Sequence, residues 1–240
     1  TKPIEGNKII YIVKNCEKLN VITANAMLKF IEDANEDVIA IFLTDNLDLD
    51  LPKLQKTVST AVRMLDNVID INFYPVEKAK NSNLLHRPIG LGLMGFADCL
   101  QKMHLPFYSS EAKVFADKSM EYISYFALCA SHKIAQEKGI YSTFKGSLWN
   151  KGILPVDTLN LVKQQRNANE LAISMNSYVE KEKWEEIRNK IKNEGLRNSC
   201  LMAIAPTATI ANIVGVSNGI EPHYQNLYVK SNLSGEFTLI

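Results

Sequence analysis

The sequence predicts the α/β class. Short continuous runs of β-branched and other apolar residues, bounded by turn formers, read as buried strands. Between them lie stretches whose apolar residues recur at the helical period. In the first fifty residues the order is strand, helix, strand, which is one βαβ unit and implies a parallel sheet.

Lys8-Ile9-Ile10-Tyr11-Ile12-Val13 is the first strand, and Val38-Ile39-Ala40-Ile41-Phe42-Leu43 is the second, closed by Thr44-Asp45-Asn46. Ala24, Met27, Leu28 and Ile31 share one face of a helix over residues 19–33. Leu54, Val58, Ala61, Val62, Leu65, Val68 and Ile69 keep the same period over residues 52–71. Pro52 suits the first turn of that helix, where its missing N–H has no partner to lose. Tyr74-Pro75 ends it, and residues 76–80 begin another short turn. Ile89-Gly90-Leu91-Gly92-Leu93-Met94 reads as a short apolar strand, residues 96–103 as helical, and residues 110–138 as a long helix closed by Gly139. Residues 140–177 read as loop-rich, punctuated by Trp149, Gly152 and Pro155. Residues 178–193 form a charged surface helix ended by Gly195. Cys200-Leu201-Met202-Ala203-Ile204-Ala205 is a further buried strand that runs directly into Pro206-Thr207-Ala208-Thr209.

Composition excludes several classes. The chain has 240 residues, 46% hydrophobic and 22% charged, which is not the balance of a disordered, collagen-like or coiled-coil polypeptide. No window approaches the ~20 apolar residues of a membrane helix, and the first residues lack the apolar centre of a signal peptide. Lys and Arg total 27 against 26 Asp and Glu, so no bulk field recruits nucleic acid or anionic membrane. Cys16, Cys99, Cys129 and Cys200 are far apart, as are His86, His104, His132 and His223. That scatter fits neither a zinc site nor a disulfide framework, and reduced cytoplasmic thiols are the expectation.

Three patterns bear on chemistry. Gly90, Gly92 and Gly95 form a literal G-x-G-x-x-G, but Leu85-His86-Arg87-Pro88 precedes them where a dinucleotide site needs a buried strand. The plainer reading is a packed strand whose glycines let a neighbouring backbone approach. The second pattern is the passage from strand to helix at residues 203–214. Ligands of parallel sheets bind beyond the carboxyl ends of strands, and free amides at a helix start attract phosphate. Thr207 and Thr209 add hydroxyl donors there. Pro and Thr are also ordinary residues for a helix start with no ligand, so both readings stand. Third, Asp66, Asn67 and Asp70 share a helix face, as a solvated or ion-paired surface or as an acid/base pair, and Arg197-Asn198-Ser199 has the look of a cap.

Residues 50–240 resemble the large, catalytic subunit of aerobic ribonucleotide reductase. The resemblance rests on residues 61–70, Phe73-Tyr74-Pro75, residues 87–95 and Leu196-Arg197-Asn198-Ser199. Its most specific stretches are residues 203–210, Asn218-Gly219-Ile220-Glu221-Pro222 and Leu233-Ser234-Gly235-Glu236-Phe237. It implies part of a ten-stranded α/β barrel enclosing a finger loop, with the substrate's phosphates held at Pro206, Thr207, Ala208, Thr209 and Ile210. In that family a thiyl radical abstracts the ribose 3′-hydrogen, the 2′-hydroxyl leaves as water, and a thiol pair supplies two electrons. The details look like the diiron-dependent class. The resemblance therefore implies a small subunit bearing a diiron centre and tyrosyl radical, a thioredoxin-type reductant, and self-association of large subunits.

The chain also departs from the family pattern. The finger-loop motif with its radical cysteine does not occur in it, so the catalytic residues are unassigned and the chain alone is expected to be inactive without a complementing N-terminal fragment. One redox cysteine would fall within residues 7–46, where Cys16 is the single candidate, although Lys14-Asn15 and Glu17-Lys18 do not match. Residues 7–46 themselves resemble the DNA polymerase III delta-prime clamp-loader subunit, notably at residues 7–13, 24–32 and 41–46. No phosphate-binding G-x-x-x-x-G-K-[ST] is present, so ATP hydrolysis by this segment is not expected. The expected organisation is a βαβ segment at residues 1–50 ahead of a reductase barrel fragment at 51–240. The expected function is a part of a cytoplasmic ribonucleoside-diphosphate reductase with no resident cofactor. The alternative is a non-catalytic clamp-loader-like module.

Overall fold

The computed structural model describes residues 9–13, 38–42, 49–165, 176–222, 228–232 and 235–239. The chain divides into two compact units, Thr1–Asp48 and Leu49–Ile240. In the first, β1 (Ile9–Val13) pairs in parallel with β2 (Val38–Phe42), with Ile9 opposite Val38 and Val13 opposite Phe42. The helix expected over residues 19–33 lies outside the described residues, as does Cys16.

In the second unit two long helices form the core. Helix α1 (Leu51–Ile71) starts where Asp50 accepts the Lys53 N–H at 3.1 Å, with Pro52 in its first turn. Its buried residues are Val58, Val62, Asp66 and Ile69, one stripe at helical spacing, and they face α4 (Ser110–Lys138). Helix α4 is capped by the Ser109 hydroxyl on the Ala112 N–H and ended by Gly139 at φ 87°. Its C-terminal half buries Phe126, Ala127, Leu128, Ala130, Ile134 and Ala135. Helix α6 (Lys181–Glu194) lays Trp184, Ile187 and Ile191 on the other side of α4, and the Tyr125 and Trp184 rings meet edge to face at 5.2 Å.

Several boundaries differ from the sequence expectation for identifiable reasons. The helix expected from residue 178 begins at Lys181, because the Glu121 carboxylate takes the N–H groups of Tyr178 and Val179 and the indole N–H of Trp184. The short turn expected at residues 76–80 is a full helix, α2 (Glu77–His86), which buries no residue and so leaves no apolar period to read. Helix α3 (Phe96–Lys102) follows Gly95, and α5 (Thr158–Gln165) follows a 3₁₀ turn at Pro155–Asp157. A short α7 (Ala208–Val214) precedes an antiparallel hairpin of β3 (Tyr228–Asn232) and β4 (Gly235–Leu239). No helix among the described residues is long and apolar enough to cross a membrane.

Asp66 is the polar centre of this unit and is fully buried. Arg87 donates to it through Nε at 2.9 Å, Asn198 through Nδ2 at 3.1 Å and Arg197 through Nε at 3.3 Å. The same Arg87 guanidinium forks onto Asp70 at 2.7 and 2.9 Å and reaches the Asp66 carbonyl at 2.9 Å. Asn198 in turn holds the Arg87 carbonyl and accepts from the Ser131 hydroxyl on α4. The helix-face carboxylates are thus ion-pair partners, and Arg197-Asn198 is an interior hub rather than a helix cap. Arg87 holds this position at φ 46°, a left-handed backbone that costs a non-glycine residue about 1–3 kcal/mol unless its surroundings fix it.

Two predictions follow from this network. Arg87→Met leaves Asp66 with Arg197 and the more distant Lys138, and should lower stability by about 3–5 kcal/mol in urea denaturation; a loss under 1 kcal/mol would refute the pairing. Arg87 hydrogen bonds hold the Asp70 carboxyl below its ordinary value of 3.8. A depressed folded value means that its contribution is complete above the unfolded value and is lost as the pH falls through the folded one. The thermal midpoint should therefore drop on acidification below about 3.8. Asp70→Asn should melt lower at neutral pH and lose part of that acid dependence, and an unchanged acid limb would argue against the assignment.

Candidate functional site

The site is built from the two apolar runs around residues 90 and 203. Ile89 N–H donates to the Cys200 carbonyl at 3.0 Å, Leu91 N–H to the Leu201 carbonyl at 2.7 Å, and Ala203 N–H to the Leu91 carbonyl at 3.0 Å. These bonds make a short parallel ladder with its bridge at Leu91 and Met202. Gly90 and Gly92 face this partner. A Cβ on Gly90 would lie 2.9 Å from the Ala203 Cβ, and one on Gly92 would lie 2.4 Å from the Ala203 carbonyl oxygen. The glycines thus serve a close backbone approach.

The expectation of a buried strand at residues 200–205 needs correction. Leu201 alone points into the core; Met202 is half-buried, and Cys200, Ala203, Ile204 and Ala205 are exposed. A continuous apolar run reads as buried on both faces, but this one borders a single neighbouring segment and covers only one face. Cys200 is accordingly a solvent-facing thiol rather than core packing.

Beyond the ladder the chain turns at Pro206 and enters α7. Pro206, Ala208, Thr209 and Ile210 are exposed, and Thr207 is half-buried. The first intrahelical bond is Ala211 N–H to the Thr207 carbonyl at 2.7 Å, which leaves the amides of Ala208, Thr209 and Ile210 without a helical acceptor. The two threonines expected to add hydroxyl donors differ in their surroundings. Thr209 makes no side-chain bond among those described, whereas Thr207 Oγ1 turns inward, donating to Asn218 Oδ1 at 2.9 Å and accepting the Gly219 N–H at 2.8 Å. Asn218 Oδ1 also receives the Thr207 N–H.

The loop at residues 217–219 is anchored to the start of α3. Ser217 N–H donates to Asp98 Oδ2 at 2.6 Å, and Gly95 N–H donates to the Ser217 carbonyl at 2.9 Å. Gly95 itself sits at φ 75° ahead of α3. The glycine-rich stretch and the turn are therefore one assembly. Asp98 was not singled out in the sequence, and Asn218 entered only within the 218–222 stretch of the family resemblance; Asn-Gly is a common turn signal and points to no particular acceptor. Cys99 and Cys129 are half-buried, and burial pushes both thiols up, away from thiolate chemistry. No group of three or more His, Cys, Asp or Glu among the described residues could hold a metal ion.

A parallel ladder that leads into a helix describes an α/β domain. Residues 27–240 match the ribonucleotide reductase barrel domain, and the chain belongs to that family. The ribonucleoside-diphosphate reductase subunit alpha of Chlamydia muridarum is 50% identical over 234 residues, 98% of this chain and 21% of that protein. The corresponding subunit of Helicobacter pylori is 42% identical over 182 residues, 76% of this chain and 22% of its own length. The large subunit of Caenorhabditis elegans is 37% identical over 227 residues, 90% of this chain and 27% of that protein. The chain spans about a fifth to a quarter of the length of these curated relatives. The family match begins inside residues 7–46 and the Chlamydia muridarum match covers 98% of the chain, so these findings support the reductase reading; the expected clamp-loader resemblance is not shown.

Gly92→Ala should cost about 1–3 kcal/mol in chemical denaturation, because backbone atoms and not a flexible side chain occupy the added methyl's place. A variant as stable as the parent would show that residues 92 and 203 are not in contact.

Proposed function

We propose that this chain is the phosphate-gripping part of a ribonucleoside-diphosphate reductase large subunit, within the family's ten-stranded barrel. The turn at Pro206, Thr207, Ala208, Thr209 and Ile210 takes the diphosphate of the substrate. The observation that carries this reading is an open helix start, immediately past a parallel ladder, in a chain 50% identical to a protein named for ribonucleoside diphosphates. Amides of Ala208, Thr209 and Ile210 supply donors whose helical acceptors do not exist, and the Thr209 hydroxyl adds another. Holding both phosphates rigidly fixes the ribose relative to the radical-bearing loop, which lowers the entropic part of the barrier.

The reaction proposed for the complete enzyme is reduction of ribonucleotides to deoxyribonucleotides. The diiron and tyrosyl-radical chemistry enters from the small subunit, and electrons come from a thioredoxin-type reductant. Large-subunit self-association and complementation by a polypeptide carrying the radical cysteine belong to the same proposal. Cys16 is retained only as a position for a redox thiol. This chain's own task is to bind and orient.

Isothermal titration of the chain with CDP and with cytidine tests the reading. CDP should bind more tightly, and Thr209→Val should weaken CDP about tenfold, the value of one hydrogen bond to a charged group, while leaving cytidine unaffected. Equal affinity for CDP and cytidine would sink the proposal.

A further inference from the structure

We infer that the outward face of α1 is where a second copy of this chain packs, helix against helix across a two-fold axis. The inference rests on the large-subunit self-association named above and not on the phosphate turn. Helix α1 carries two apolar stripes. Val58, Val62 and Ile69 turn inward with Asp66 and pack on α4. Met64, Val68 and Ile71 recur at i, i+4 and i+7 on the opposite side, and they are 63, 48 and 81% exposed. Phe73 and Val76, just past the helix end, extend the patch at 82 and 57% exposed. One packing partner satisfies a helix with one apolar stripe; α1 has a second stripe that stays open to solvent.

The stripe selects a helix of its own kind as cover. Thr57, Ala61, Met64, Val68 and Ile71 follow one another in alternating steps of four and three, the seam spacing of paired helices. These residues carry no charge, so neither nucleic acid nor an anionic membrane finds a counter-charge on them. Charges on the flank are held within the chain: Arg63 Nη1 lies 2.7 Å from the Glu137 carboxylate, and Asp70 takes the Arg87 fork. Side chains of this size expose ~150–200 Å² each when free, so the five leave on the order of 600 Å² uncovered. A specific interface takes ~800 Å² from each partner, and little more than half of that is apolar. The patch therefore supplies the whole apolar share of a stable dimer contact. Laid antiparallel with the axis at Val68, two copies set Met64 against Ile71 twice and Val68 against itself, with their helix dipoles opposed. The small Thr60 and Ala61 leave room for the Phe73 ring of the other copy.

Sedimentation equilibrium of the purified chain tests this. The parent should be a dimer at micromolar concentration. Met64→Glu with Ile71→Glu puts four carboxylates into the seam and should raise the dissociation constant at least about a hundredfold, with the circular dichroism spectrum of the parent retained. Should that double variant fail to fold, Val68→Cys carries the test. Under mild oxidation it should give a dimer linked from residue 68 to residue 68, whereas Glu182→Cys, exposed on α6 on the other side of α4, should not. The inference is overturned by a double variant that dimerises as the parent does, or by Val68→Cys that cross-links no better than Glu182→Cys. A monomeric parent overturns it too, including one whose stripe takes up the complementing reductase polypeptide instead. A dimer that binds CDP no better than cytidine keeps this inference and loses the phosphate reading, and a monomer that prefers CDP does the reverse.

Discussion

A carboxylate with no exposure to water must find its counter-charges inside the protein, and Asp66 meets that requirement by gathering four parts of the chain. It lies on α1, Arg87 follows α2, Ser131 behind Asn198 lies on α4, and Arg197-Asn198 leads into the segment before the turn. Removing such a charge from water costs several kcal/mol, so any arrangement that leaves Asp66 short of donors is disfavoured. The fixed donors around this carboxylate tie α1 to the segments that carry Arg87, Arg197 and Asn198.

The position of the turn at Pro206 follows from that hub. Arg87 and Asn198 are each two residues from a ladder position, Ile89 on one side and Cys200 on the other, and they are bonded to each other. Once they are locked, the register of Ile89 and Leu91 against Cys200 and Leu201 is determined, and with it the point at which the chain reaches Pro206. Gly90 and Gly92 permit the two backbones to come as close as this register requires. The loop at residues 217–219 then closes on the far side through Asp98 and Gly95. The turn before α7 is thus joined to the ladder and bonded to Asn218.

Much of this is legible in the sequence, and the rest is not for physical reasons. Helix α1 buries residues at helical spacing, so its apolar period marks it in the sequence, and Gly139 marks the end of α4. Helix α2 buries nothing and carries no such mark. The turn at residues 206–210 could be proposed because a strand-like run followed by Pro-Thr is a local pattern. The inward Thr207 hydroxyl could not, since its acceptor lies eleven positions away and Asn-Gly has many other uses. Asp66 and Asp70 could be placed on one helix face, but nothing in a sequence selects Arg87 and Arg197 as their cations over the other basic residues. The apolar run at 200–205 misled because hydrophobicity reports what a segment could cover, not how many neighbours it has.

The Asn198 side chain reaches Asp66 across 132 positions and the Arg87 carbonyl across 111. Contacts so distant along the chain carry a loop-closure entropy that the buried charge pairing must offset. The same logarithmic law gives the intervening stretch latitude: doubling a flexible loop costs only about 0.6 kcal/mol. The exposed parts of the stretch between α4 and α6 can therefore change in length at small cost while the far-apart partners of the hub stay where they are.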